Sequence, residues 1–310
     1  MEFKHKPVML EECISGLNIK PNGIYFDGTL GGAGHSSEIL KKLTNGLLIA
    51  TDKDDDALKV SNERLVKISN NFKTIKSDFK QFFNILDNLK IEKVDGVLLD
   101  LGVSSYQLDN GERGFSYRFN APLDMRMDKN STLTAFDVVN NYSLEELTAV
   151  FFNYGEEPFS KQIAKNIVLA RENKKIDTTF ELVDIIKKSV PAKILATKGH
   201  PAKRIFQAIR IEVNQELEGL KNVLFKMIER LNSGGRIVIL TFHSLEDRIV
   251  KDVFKECSTN CICPKEIPVC ICGHKASIKL VNKKPIVAST LELEENSRSS
   301  CAKLRIAEKL

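Results

Sequence analysis

Apolar and polar positions along the first hundred residues alternate between two periods. Gly23-Ile-Tyr-Phe-Asp27, Leu47-Leu-Ile-Ala-Thr-Asp52 and Val94-Asp-Gly-Val-Leu-Leu-Asp100 are short apolar runs, and each ends in an acid. Phe72 to Ile75 is a weaker run of the same kind. Between them the period lengthens: Ile39, Leu40 and Leu43 recur at helical spacing, and Asp54 to Ile68 predicts a helix with Leu58, Leu65 and Ile68 on one side. Strand, helix, strand, helix in this order predicts parallel strands with helical crossovers. Nearly continuous apolar strands fit a sheet covered on both faces.

After Asp100 the alternation stops. Residues 105–200 contain few strand-like runs, and helical patterns cover Tyr142 to Phe152, Phe159 to Glu172 and Phe180 to Val190. Ser143 with Glu146 three residues on forms a capping box. The stretch reads as a helical insert. From Ile205 through Ile209, Val213, Leu217, Leu220, Leu224 and Met227 to Leu231 the apolar steps are three or four residues, which predicts one long helix ended by Gly234-Gly235. Gly235 to Thr241 then reads as a strand, Ser244 to Phe254 as a helix capped by the Ser244 hydroxyl, and the remainder as a loop with one or two closing strands. The fold class is α/β, with three segments: 1–104 and 201–310 for the sheet domain, 105–200 for the insert.

A chain of 310 residues with 42% hydrophobic and 28% charged residues can bury a sizeable core. No window approaches about 18 consecutive apolar residues, so no membrane span is expected. The start, Met1 to Pro7, carries no apolar signal segment, so a cytoplasmic protein is expected. Net charge is +5 from 46 Lys and Arg against 41 Asp and Glu, which permits a nucleic-acid partner without demanding one. Lys187 to Arg210 holds seven Lys or Arg and no acid; such a block meets phosphate or is simply a solvated face.

The candidate chemistry begins at the glycine turn Gly28-Thr-Leu-Gly-Gly-Ala-Gly34 after the first run. A glycine turn between strand and helix lets a ligand approach the backbone, and the helix start offers free N–H groups. Asp52, 18 residues past Gly34, suits two ribose hydroxyls. A dinucleotide turn fits badly, because Gly32-Ala-Gly34-His-Ser-Ser37 ends in serine. Asp27 before the turn suits S-adenosylmethionine better, since a carboxylate there serves its amino group. Asp78 either accepts from an adenine amino group or caps a helix before Phe79. Asp100 lies where a methyl acceptor would sit, or simply opens the turn at Gly102. Arg113, Phe115, Tyr117 and Arg126 either stack on an unpaired base or brace an ordered loop, in a stretch with four acids and four bases between Leu108 and Asn130. His200, Lys203 and Arg204 end the basic block, with phosphate as the candidate partner. His243 is a candidate base or a structural histidine.

The sequence resembles the bacterial 16S rRNA cytosine-N4 methyltransferase family, known as RsmH or MraW. The matching stretches include His5-Lys-Pro-Val-Met-Leu10, Tyr25-Phe-Asp-Gly-Thr29, Gly34-His-Ser36, Leu98-Leu-Asp-Leu-Gly-Val-Ser-Ser105, Glu112-Arg-Gly-Phe-Ser116, Pro122-Leu-Asp-Met-Arg-Met-Asp128, Tyr154-Gly-Glu-Glu157, Phe206-Gln-Ala-Ile-Arg-Ile211, Thr241-Phe-His-Ser-Leu-Glu-Asp-Arg248 and Arg298-Ser-Ser300, in order over nearly the whole chain. The resemblance implies a class I, Rossmann-like methyltransferase fold with a helical insert domain. It implies S-adenosylmethionine as donor and a cytosine in the decoding region of 16S rRNA, within the small ribosomal subunit, as acceptor. It carries over Ala33, Gly34, His35, Asp52, Phe79, Asp100 and Gln107 to the cofactor. Asp100 is also the catalytic candidate, and Arg113, Phe115, Arg126, His200 and Arg204 are the substrate candidates. No obligate protein partner is implied. One departure stands out: the common turn is acid-x-Gly-x-Gly-x-Gly, whereas here it reads Asp27-Gly-Thr-Leu-Gly-Gly-Ala33.

Two other functions fit parts of the pattern. A nicotinamide oxidoreductase needs the glycine fingerprint that is missing. A non-enzymatic assembly factor binding RNA through the basic block has no need of Asp52 and Asp100. Four of the seven cysteines, Cys261, Cys263, Cys270 and Cys272, fall in one window, which argues for metal or plain thiols over a disulfide framework. Four thiolates there can hold a zinc, although C-x-C is less typical than C-x-x-C. Family members can lack these cysteines, so such a metal is structural, and no catalytic metal is expected.

Overall fold

The computed structural model describes residues 7–109, 111–192, 199–261, 263, 269 and 271–310. The chain divides into two compact units, Met1–Gly102 with Leu217–Leu310, and Val103–Glu216.

The first unit is built on a seven-stranded sheet. Its strands are β1 (Ile24–Asp27), β2 (Leu47–Asp52), β3 (Phe72–Lys76), β4 (Val94–Asp100), β5 (Leu231–Thr241), β6 (Ile278–Leu280) and β7 (Lys303–Lys309). The order is β3-β2-β1-β4-β5-β7-β6. The first five run parallel, and β7 pairs antiparallel with both β5 and β6. The apolar runs are continuous because alternate residues serve opposite faces. Phe26, Ile49, Val97, Leu99, Ile237 and Ile239 enter one core with Phe82, Leu224, Met227, Val250 and Phe254. Tyr25, Leu48, Ala50, Leu98, Val238 and Leu240 enter the other with Met9, Leu17, Ile39 and Leu40. Burying one such side chain contributes roughly 1.5–3 kcal/mol. Strand order reverses between β1 and β4, the switch point beyond whose strand carboxyl ends doubly wound sheets bind ligands. The terminal residues there are Asp27 and Asp100, with Asp52 ending β2 beside them.

The second unit is helical. Its core joins Leu123, Met125, Val138, Leu147, Phe151, Ile163, Ile167, Leu182 and Ile186. Helices Ala135–Asn141, Leu144–Asn153 and Thr179–Ser189 each open on a capping box, set by Thr134, Ser143 and Thr178. Among the described residues no helix is long and apolar enough to cross a membrane.

Four expectations differ from the structure. The long helix is two, Ala202–Asn214 and Leu220–Glu229, parted by Gln215 at φ 49 and Gly219 at φ 69. The apolar stripe continues across the break because its two halves fill different cores: Ile205, Ile209 and Val213 pack in the helical unit, and Leu220, Leu224 and Met227 under the sheet. The helical unit therefore runs to Glu216, past residue 200 where the insert was expected to end. Gly234-Gly235 cap no helix. Arg230 ends the helix, the strand starts at Leu231, and both glycines sit at a bulge where register shifts between Val94 and Gly96. A Cβ on Gly235 would stand 3.0 Å from the Asp95 carbonyl oxygen. Finally, the helix Ser244–Cys257 is capped by His243.

Candidate active site

The turn after β1 ties the three strand-end carboxylates together. Gly28 N–H donates to the Leu98 carbonyl and Leu30 N–H to the Thr51 carbonyl, both at 3.0 Å, so the loop is anchored on β4 and β2 at once. Asp27 is buried and accepts from Ser36 Oγ at 2.7 Å and Thr29 N–H at 3.0 Å. Thr29 Oγ1 in turn accepts from the Asp100 N–H at 2.7 Å. Asp52 accepts from Gly31 N–H at 2.7 Å and Asp54 N–H at 2.9 Å. One oxygen of each pair keeps a lone pair for another donor, as a ribose hydroxyl requires.

The turn that departs from the common glycine pattern holds two left-handed residues. Gly31 stands at φ 48 and Ala33 at φ 57, so alanine holds a left-handed conformation usually left to glycine. That costs on the order of 1 kcal/mol, repaid because Ala33 is fully buried as the residue before the helix Gly34–Lys42. Close approach needs glycine at Gly28, where a Cβ would lie 2.4 Å from Leu99 Cδ2 and 2.8 Å from Phe79 Cβ. Phe79 is thereby placed against the turn. A Cβ on Gly34 would lie 2.2 Å from Pro7 Cγ.

His35 is buried, with Nε2 3.1 Å from the Val8 carbonyl oxygen and Nδ1 3.6 Å from Asp100 Oδ2. Among the described residues Asp100 Oδ1 is buried with no hydrogen-bond partner, while the side chain as a whole keeps 26% exposure. A partly exposed carboxylate with one oxygen short of donors is a candidate site for a ligand's N–H. Burial raises the pKa of Asp100 to about 6, against the attraction of His35 and with the repulsion of Asp27. Burial also raises Asp52 to about 6 and pushes Asp27 upward. Cys13 on the helix Leu10–Leu17 is held as a thiol by burial and by the Asp100 charge.

The ambiguous residues resolve as follows. Asp78 caps the turn at Phe79, accepting from Lys80 N–H at 2.9 Å, and pairs with Lys53 Nζ at 2.6 Å. His243 caps its helix in a box with Glu246, whose Oε1 is 3.1 Å from Nε2; this is the structural reading. In the helical unit, Gln107 is buried and closes a turn, its Oε1 accepting from Ser104 N–H at 3.0 Å. Arg126 makes a bidentate pair with Asp124, at 2.9 and 2.8 Å, and donates to the Lys129 and Ser131 carbonyls. Arg113 is buried and donates to the carbonyls of Arg126 and Met127, and Phe115 lies in the core. These three have the geometry of a self-braced loop. His200 stacks on Tyr117 with centroids 4.4 Å apart, and the half-exposed Arg204 reaches the Glu156 carbonyl at 3.3 Å. Ala33, Gly34, His35, Asp52, Phe79 and Asp100 therefore assemble around the switch point, whereas Gln107 and the five substrate candidates belong to the helical unit.

Thr29 and Ser36, which link the acids, were not singled out from the sequence. Both stand in the matching stretches, but a hydroxyl's partner is a tertiary fact. Phe242 approaches Gly102, whose Cβ would lie 3.8 Å from its ring.

The chain is similar to known proteins over its full length. It is 55% identical to ribosomal RNA small subunit methyltransferase H of Finegoldia magna, covering all of both chains. It is 54% identical to the protein so named from Lachnospira eligens, covering 100% of this chain and 99% of that one. It is 52% identical to that of Clostridioides difficile, again covering all of both. The strand order with its antiparallel β7, interrupted after β4 by a helical unit, is the class I methyltransferase architecture with an insert. The profile of the MraW methylase family matches residues 2–310, and the chain belongs to that family.

Proposed function

We propose that this enzyme transfers a methyl group from S-adenosylmethionine to N4 of one cytidine in the decoding region of 16S rRNA, within the small ribosomal subunit. The observation that carries the reading is the donor-poor Asp100 at the end of β4, tied through Thr29 to Asp27 and the glycine turn. The residues fit the cofactor. Asp52 offers lone pairs to ribose hydroxyls, Phe79 lies close against the turn at Gly28, and Asp27 adds negative charge for an ammonium group.

When bound, S-adenosylmethionine supplies an electrophilic methyl group. The chain's own task is to hold a poor nucleophile, since the cytosine amine lone pair is delocalised into the ring. The Asp100 carboxylate accepts one amine N–H and favours charge building on nitrogen as the N–C bond forms and the methyl's bond to sulfur breaks. The same carboxylate receives the proton lost from nitrogen, and a pKa of about 6 makes it a stronger acceptor than an ordinary aspartate. His35 Nδ1 lies 3.6 Å from Asp100 Oδ2, and its attraction opposes the burial that raises the carboxylate. Phe242, beside Gly102, is the ring available to stack on the base, because Phe115 is committed to the helical core. His200 and Arg204 contact RNA phosphates in this reading, while Arg113, Phe115 and Arg126 set the loop's shape.

The test is mass spectrometry of small-subunit rRNA nucleosides from cells with and without the gene, followed by methylation of the deficient subunits by purified protein. Loss and restoration of one N4-methylcytidine are expected; identical nucleosides in both strains overturn the reading.

A further inference from the structure

We infer that Cys261, Cys263 and Cys272 bind one zinc ion, which holds the loop between the helix Ser244–Cys257 and strand β6. Their sulfur atoms all lie within 4.8 Å of one another, and the Cys261 and Cys272 sulfurs are 3.9 Å apart. Thiolates around a tetrahedral zinc, with Zn–S near 2.3 Å, stand about 3.8 Å apart. A disulfide requires about 2.05 Å, so this pair is not one. Thiolates of an iron–sulfur cluster bind different irons and stand farther apart than one ion requires. The sequence carries a further cysteine in the same window, Cys270, which lies outside the described residues.

The loop also needs such a staple. It spans residues 258–277, and none of its described residues is in a helix or strand. Among its described residues the large apolar side chains are not packed: Val269 is 70% exposed and Ile271 77%. Loops this long without secondary structure rarely order themselves. Yet its neck is fixed. Ser277 N–H donates to the Cys257 carbonyl at 2.8 Å, His274 Nε2 lies 3.0 Å from the Glu256 carbonyl oxygen, and Ala276 N–H donates to Asn260 Oδ1 at 3.2 Å. Cysteine is among the most buried residue types, and Cys13 and Cys257 follow that rule. The three clustered thiols do not, which packing alone leaves unexplained. A soft, redox-inert ion that takes thiolates at neutral pH is zinc. Binding releases the thiol protons and contributes folding free energy locally. The inference is independent of the methyl-transfer reading, because the loop contributes none of the strand-end carboxylates.

The experiment uses the full chain expressed with added zinc and purified without chelator. Elemental analysis should find about one zinc per chain. Cys261→Ser and Cys272→Ser should lose it, and Cys301→Ser should keep it. Stripping the wild-type protein with a chelator should speed amide exchange in residues 257–277 and leave β1, β2 and β4 protected, which keeps the test valid where a variant folds poorly. Metal-free wild-type protein, iron in place of zinc, a Cys261–Cys272 disulfide by mass spectrometry, or unchanged exchange after zinc removal would overturn the inference.

Discussion

Carboxylates at the ends of the parallel strands and carboxylates in the helical unit's loop have opposite fates. Asp27, Asp52 and Asp100 are driven above the ordinary carboxylate range by burial. At Asp124 the bidentate Arg126 guanidinium outweighs burial and holds the carboxylate below that range, whereas Asp100 Oδ1 has no donor among the described residues. By charge count alone the loop between Leu108 and Asn130 looks like the better candidate for a polar ligand. The difference teaches that a binding site is marked by what its polar groups lack. A satisfied Arg–Asp pair braces a fold, whereas an ionised group kept short of donors is an unpaid cost that a ligand removes.

The contrast breaks most sharply at Asp100. Asp100→Ala should lower single-turnover methylation of small subunits by about 10²–10³ with S-adenosylhomocysteine affinity nearly unchanged. Near-normal turnover at saturating S-adenosylmethionine, with weakened binding, would make Asp100 a cofactor contact only. In the wild type, turnover should fall below about pH 6 as the carboxylate takes up a proton. A flat profile from pH 5 to 8 would contradict the acceptor role.

At Asp52 the effect should appear in binding. Asp52→Ala removes charged hydrogen bonds to ribose and should weaken cofactor affinity by about 2–4 kcal/mol. Calorimetry returning the wild-type dissociation constant would take Asp52 out of the site.

Stability should move the other way. The folded-state pKa of Asp100, about 6, lies above its ordinary 3.8, so the folded protein binds this proton more tightly than the unfolded chain. Ionised Asp100 therefore costs stability above pH 6, and the cost vanishes below about pH 4. With each pKa unit worth about 1.4 kcal/mol, Asp100→Asn should stabilise the ligand-free protein by up to about 3 kcal/mol at pH 8 and by little near pH 4. Thermal unfolding at both pH values reads this directly, and equal shifts at the two would show that the charge is not what is strained.

The smallest effect belongs to the loop. Arg126→Ala should destabilise the protein by about 1–2 kcal/mol through lost hydrogen bonds to Asp124 and two carbonyls. Cofactor affinity should stay unchanged. A Tm equal to that of the wild type would return Arg126 to the list of RNA-binding candidates.

Strands β1, β2, β4 and β5 were legible, since a buried strand writes its own run of apolar residues, while β3, which buries no residue fully, left a weaker run; the acid that closes β1, β2 and β4 was legible too. The capping box at Ser143 was legible for the same reason: its partners lie three residues apart. The cofactor residues of the sheet unit came from the matching stretches together with their place at strand ends. Thr29 and Ser36 did not, because a hydroxyl in a motif looks alike whether it faces solvent or an aspartate.

What the sequence determined by itself is whatever depends on neighbours a few positions away: strand and helix periods, caps, and the turn whose Gly31 and Ala33 keep two left-handed positions despite an altered pattern. Only tertiary structure decided the rest. The apolar stripe from Ile205 to Leu231 has an unbroken period, yet the chain turns at Gln215 because its halves serve two cores, and a period does not say which core it feeds. Arg126 and Asp100 are both charged residues in matching stretches. Arg126 finds its acceptors within five residues, at Asp124, Lys129 and Ser131. Asp100 instead sits among Thr29 and His35 from a distant segment, and their packing leaves its Oδ1 without a donor among the described residues.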